Sequence, residues 1–175
     1  MFDNVFIDEK AGIPMKNRLS GYVNKIYKAP QFIQSFLLTQ LFNQQVKYAK
    51  TTGIKIAKIS HQEVVITLAN KKKVQNHIGG IHAVAAALLA ESTTGIVFGM
   101  NVPDTCIPLL KSMTMRYQRR MQGALSAKAS LTNSQLEQIN IHDKGDMIIH
   151  VEITDESGQS PIECEMEWAW IPKKR

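Results

Sequence analysis

The stretch QNHIGGIHAVAAALLAESTTG, residues 75–95, gathers groups able to act on a polarised substrate. Asn76 offers a side-chain amide, Gly79 and Gly80 offer backbone free to take positive φ, and His82 offers an imidazole just ahead of an apolar run. A helix that starts near His82 presents free N–H groups and the positive end of its dipole, which together make a site for an anion. The same residues also suit a plain turn and helix cap, so both readings stand. Glu91 follows eight apolar residues, Ala83 to Ala90. An ionised carboxylate on an apolar helix is costly unless it is paired or solvated, so Glu91 either does chemistry or sits at a wet edge near Ser92, Thr93 and Thr94. A free glutamate has a pKa of about 4.3, so even when moderately raised by burial it is ionised near neutral pH and can activate water or attack directly.

Other chemistry-bearing residues form weaker patterns. His77 and His82 lack the spacing of a zinc helix, and no metal is expected. The basic run Asn70–Lys73, with Arg116, Arg119 and Arg120, can bind phosphate groups or simply be a solvated face. Met100, Met113, Met115 and Met121 can line an adaptable apolar pocket or be ordinary core.

The elements that must position these groups follow from periodicity. Residues 15–27 and 30–53 place apolar groups at helical spacing, the second segment starting at Pro30 and stopping at Gly53. The period then changes to two: KIAKIS and EVVITLAN predict paired strands ahead of the loop and the apolar helix. Four further alternating runs follow, SMTMRYQ, LSAKASLT, DMIIHVEITD and IECEMEWAWI, each with one apolar face; DESGQS predicts a hairpin turn. Residues 133–144 show no regular pattern and are expected to be irregular. Two strands, one helix and four strands make an α+β plan, an antiparallel sheet around a single long helix. The alanines between 83 and 90 let a curved sheet approach that helix from more than one side.

At 175 residues and 44% apolar content the chain builds one core, with residues 1–49 read as a helical extension packed on a domain over 50–175. Cys106 and Cys164 have no metal or redox spacing, and MFDNVFIDEK carries acids where a signal peptide carries bases, so a cytoplasmic protein is expected. The longest apolar run is too short to span a membrane, and no membrane partner is expected. The net charge of +6 favours anionic partners. Nucleic acid is excluded as the expected partner, because Tyr117 stands alone beside Arg116 and Arg119 without aromatic and basic residues interleaved.

With these residues in view, the sequence resembles hotdog-fold acyl-CoA thioesterases, in particular the phenylacetate-pathway (PaaI-like) branch and related uncharacterised thioesterase-like domains. That branch carries Asn-x-x-Gly-x-x-His-Gly-Gly and then an Asp or Glu nine residues after the His. Asn76, Gly79, His82 and Glu91 match at the same spacings, with Ala83-Val84 in place of Gly-Gly. The resemblance covers roughly residues 50–172 and implies a hotdog fold with extra N-terminal helices. It also implies hydrolysis of an acyl-CoA thioester, with coenzyme A as part of the substrate and no cofactor.

On that reading the oxygen of the thioester carbonyl gains negative charge, and one aimed backbone N–H stabilises the transition state by about 3 kcal/mol. The Ala83 N–H is the expected donor, Asn76 is expected to hold the thioester or orient water, and Glu91 is expected to be base or nucleophile. Gly79, Gly80, His82, Arg119 and Arg120 are expected around the substrate. Ala83 and Glu91 lie about 12 Å apart along one helix, too far to act on one carbonyl. A homodimer, alone or as half of a tetramer, is therefore expected to build each site from two chains, as the resembling enzymes do. The alternative is a noncatalytic hotdog module that binds acyl-CoA or an acyl-carrier protein.

Overall fold

The computed structural model describes residues 16–174; the acid-bearing N-terminal stretch, Met15 and Arg175 lie outside the described residues. Three helices come first: α1 (Arg18–Ile26), α2 (Gln31–Gln45) and α3 (Lys47–Thr52). The single helix expected over 30–53 is broken at Val46, whose ψ of 84° is not helical. No Pro or Gly marks that break in the sequence. The new direction instead lets Ala49 of α3 pack into the core.

Six strands form one antiparallel sheet: β1 (Lys55–Ile59), β2 (Glu63–Leu68), β3 (Cys106–Tyr117), β4 (Leu125–Ser130), β5 (Gly145–Asp155) and β6 (Ile162–Pro172), in spatial order β1-β2-β4-β5-β6-β3. Val64, Ile66 and Leu68 of β2, Ala127 and Ala129 of β4 and Ile149, Val151 and Ile153 of β5 alternate inward and are buried. They wrap around α4 (Ala83–Gly99), of which ten residues are buried. This is the hotdog architecture, with the added helices at its N-terminal flank. The α4 hydroxyls are satisfied locally: Thr93 donates to the Leu89 carbonyl and Thr94 to that of Ala90, so they sit in an apolar core without an unpaired group. Gly95 allows the closest approach to the sheet, since a Cβ there would lie 2.8 Å from the Trp168 ring.

Both edges of the sheet matter. The β1 edge is closed by side chains of the N-terminal helices: Ser35 donates to the Ile56 carbonyl, Thr39 accepts the Ile56 N–H, and the Tyr27 hydroxyl donates to the Ile59 carbonyl and accepts its N–H. β3 pairs only with β6 and leaves its other edge open. Leu110 opposes Trp168 and Ser112 opposes Glu167, so Lys111 is an extra residue that reverses the alternation. Beyond it Met113, Met115 and Tyr117 share one face, as expected, and oppose inward residues of β6. That face is apolar but open, with Met113 and Tyr117 exposed, because β3 is the edge strand and has no neighbour on its outer side.

The segment expected to be irregular contains a helix, α5 (Asn133–Ile141). Its start is a reciprocal cap: the Thr132 hydroxyl accepts the Gln135 N–H and the Gln135 side chain accepts the Thr132 N–H. Thr-x-x-Gln was the available signal; only Leu136 and Ile139 are buried, too few to show a helical period. Among the described residues no helix is long and apolar enough to cross a membrane.

Candidate functional site

The loop before α4 is organised by Asn76. Its side-chain oxygen accepts the N–H groups of Ile78 and Gly80, both at 3.1 Å, while its backbone N–H donates to the Gly80 carbonyl at 2.8 Å. The amide nitrogen has only a long contact, 3.5 Å, to the Ile81 carbonyl and is the half of the side chain left for a ligand. Gly79 has φ 77°, the left-handed conformation expected of it; Gly80, expected to share that property, does not. The Gly80 requirement is an N–H pointed at Asn76 rather than a special backbone.

His82 is the cap of α4. Its Nδ1 accepts the Val84 N–H at 3.1 Å, so in this arrangement any ring proton is on Nε2, which faces outward. The Ala85 and Ala86 N–H groups both donate to the His82 carbonyl. Of the opening N–H groups of α4, Ala83 alone has no partner among the described residues. A first-turn N–H carries the partial positive charge of the helix end, so this group is a free donor for an oxygen with negative charge. Tyr117, at the end of β3, donates its hydroxyl to the Ala83 carbonyl at 2.7 Å and ties the open edge strand to the same residue. The sequence offered no sign of this contact, which spans 34 positions.

Glu91 lies on the less covered side of α4, in line with Val84 and Leu88. It is half-buried, forms no salt bridge among the described residues, and has one long contact, 3.4 Å from the Ser92 hydroxyl. Burial raises its pKa above the ordinary carboxylate value, and the weak Ser92 hydrogen bond offsets this only in part. A carboxylate with a raised pKa and no cation beside it is poised to take a proton. Cys164 is no rival nucleophile: burial pushes its thiol up to about 11.

Both arginines expected around the substrate make contacts within the fold. Arg119 pairs at 3.0 Å with Asp155, whose side chain is fully enclosed, and also donates to the Ser157 hydroxyl. Burial alone would raise the Asp155 pKa. Arg119, the Ser157 hydroxyl and the backbone N–H groups of Gln122 and Ser157 together outweigh it and hold the carboxyl well below its usual range. Arg120 donates to the Ile78 carbonyl at 3.0 Å, strapping the Asn76 loop from outside. Ser112 lies among Lys111 and Glu167 on the outer face, remote from the α4 side. Next to His82 and Val84 an open cleft of about 400 Å³ runs between α3 and α4, with Tyr48, Lys73, Gln75 and Leu88 in its walls.

Thus one end of α4 gathers Asn76, Gly79, Gly80, His82, the Ala83 N–H and Arg120. Glu91 stands two turns away on the same helix, and Arg119 is held at the Asp155 bend.

The DUF4442 family, a domain of unknown function, matches residues 35–171. No curated protein matches the sequence. Among solved structures, a Pseudomonas aeruginosa protein of unknown function, named a probable thioesterase, superposes with a TM-score of 0.69 at 21% identity over 76% of this chain and 92% of its own. A thioesterase of Haemophilus influenzae gives 0.62 at 15% identity over 75% and 88%, and a mutant thioesterase of P. aeruginosa gives 0.64 at 16% over 78% and 94%. At these identities the likeness is one of fold.

Proposed function

The chain belongs to the DUF4442 family, a domain of unknown function, and we propose that it hydrolyses acyl-CoA thioesters at sites shared between two subunits. The observation that carries this reading is the unpartnered Ala83 N–H at the positive end of a buried helix. In the proposed step the thioester carbonyl accepts that N–H and the Asn76 amide nitrogen. Glu91 of the other subunit takes a proton from water, whose oxygen attacks the carbonyl carbon. Collapse of the tetrahedral intermediate breaks the C–S bond, and the thiolate leaves with the proton that Glu91 holds. The products are a carboxylic acid and coenzyme A.

Two features support the shared site. Ala83 and Glu91 stand about 12 Å apart in one chain, beyond the reach of a single carbonyl. The open edge of β3 exposes Ile107, Leu109, Met113 and Tyr117, an apolar strand fit to continue its sheet into a second copy. A noncatalytic acyl-CoA or acyl-carrier binding module is the second reading. It is favoured by the Asn76 oxygen, already engaged by two loop N–H groups, and by Val84 standing exposed next to the donor.

The test is complementation. Asn76→Ala and Glu91→Ala are made separately with different affinity tags and assayed on a panel of acyl-CoAs. Each is expected to be nearly inactive. Refolded together in equal amounts, about half of the chains enter mixed dimers with one whole site each, so activity returns to about a quarter of wild type. Mixed dimers isolated through both tags and showing no recovery would refute the shared site. Acyl-CoA binding without turnover in the wild type would establish the noncatalytic reading.

A further inference from the structure

α2 is an unusual surface helix. Its fifteen residues, QFIQSFLLTQLFNQQ, include no charge, and only Leu38 is buried. Phe32 is 86% exposed and Phe36, one turn on, 62% exposed. Neither ring is needed to hold the helix, because Leu38 is buried beneath it and the Ser35 and Thr39 hydroxyls hydrogen-bond to β1. Tyr22 on α1 and Tyr48 on α3 are also exposed, extending the aromatic character to both neighbouring helices.

The charge around this helix is one-sided. No Asp or Glu occurs between Lys10 and Glu63. Lys25 and Lys28 precede α2, and Lys47, Lys50 and Lys55 follow it, all exposed; among the described residues Lys58 alone of the nearby lysines is neutralised, by Glu63. Exposed phenylalanines on an uncharged helix, bordered by cations that have no acidic partner among the described residues, match the two halves of a lipid interface. The rings enter the boundary between headgroups and acyl chains while the ammonium groups stay with anionic headgroups. A second copy of the chain fits poorly on this flank, since it would set one unneutralised lysine surface against another.

We propose that the N-terminal helical flank docks on anionic lipid bilayers, with Phe32 and Phe36 inserted and the lysines of α1, α3 and β1 against the headgroups. The interaction is peripheral and reversible. It brings the enzyme-like face of the domain to a surface where long-chain amphiphiles partition.

The experiment is flotation of the full chain with phosphatidylcholine vesicles, with and without phosphatidylserine. Binding is expected to the phosphatidylserine vesicles alone and to fall steeply with added salt. The double variant Phe32→Ser/Phe36→Ser is expected to lose at least about 10-fold in partitioning, and Lys47→Glu/Lys50→Glu about 10-fold or more. Thermal melts and light-scattering mass establish that both variants remain folded and in the wild-type oligomer. No binding, equal binding to both vesicle types, or unchanged binding of the Phe variant overturns the proposal. So does a change of oligomeric mass in the Phe variant, which makes the face a contact between protein chains.

Discussion

Replacing Arg119 with alanine distinguishes a structural cation from a substrate ligand. Asp155 is enclosed and accepts from Arg119 at 3.0 Å, from the N–H groups of Gln122 and Ser157 at 2.9 and 3.0 Å, and from the Ser157 hydroxyl at 2.6 Å. Arg119→Ala removes the only charge among these and leaves a buried carboxylate with neutral donors. Breaking a buried pair costs about 3–5 kcal/mol, and the remaining donors put this one at the lower end, about 3 kcal/mol. In urea, with a slope of about 2 kcal/mol/M, the unfolding midpoint at neutral pH drops by about 1.5 M at matched protein concentration. The sign with pH follows from the depressed Asp155 pKa: its stabilisation is full above the unfolded value of about 3.9 and is lost as pH falls below it. The difference between wild type and variant therefore shrinks toward pH 3. A loss under about 0.5 kcal/mol, or one equal at pH 7 and pH 3, would refute this account. A raised KM for acyl-CoA at unchanged stability would restore Arg119 to the substrate.

Glu91→Gln is expected to lower thioesterase turnover by about 100-fold or more while the fold is kept, and kcat/KM of the wild type is expected to fall in acid with a midpoint above the ordinary glutamate value. Because burial raises this pKa, the group's contribution to stability is full below the unfolded value of about 4.3 and is lost as pH rises through the folded one. The Gln variant should thus melt higher than wild type at pH 7–8 and equally at pH 4, and calorimetry across that range checks it. Ala83→Pro removes the proposed oxyanion donor; His82, with ψ 139°, already has the extended conformation that a following proline requires. Turnover is expected to fall by about 100-fold or more in a folded dimer, whereas Ala83→Gly should preserve or raise it; full activity in the Pro variant excludes the donor.

Local sequence was enough for five of the strands and the second half of β3, which begins six residues before the expected run, and for α4 and the isolation of Glu91 on it, because alternation and an alanine-rich apolar run report directly which side of an element avoids water. It also marked Gly79, whose positive φ follows from a loop that must reverse ahead of a helix. Periodicity says that a face is apolar, however, and not that anything covers it: Met113 and Tyr117 share a face as the alternation requires, yet stand open because β3 is at the sheet edge. The break at Val46 and the bulge at Lys111 were set by packing and register rather than by residues with strong local preferences, and α5 carried a local signal only in its Thr132–Gln135 cap. The roles of individual polar groups were the least legible. Asn76 has one half of its amide engaged in the loop, Tyr117 reaches Ala83 across 34 positions, and Arg119 serves Asp155 across the turn of a distant hairpin. A side chain's chemistry depends on which buried partner most needs its hydrogen bond or charge, and that partner is chosen only when distant segments are brought together.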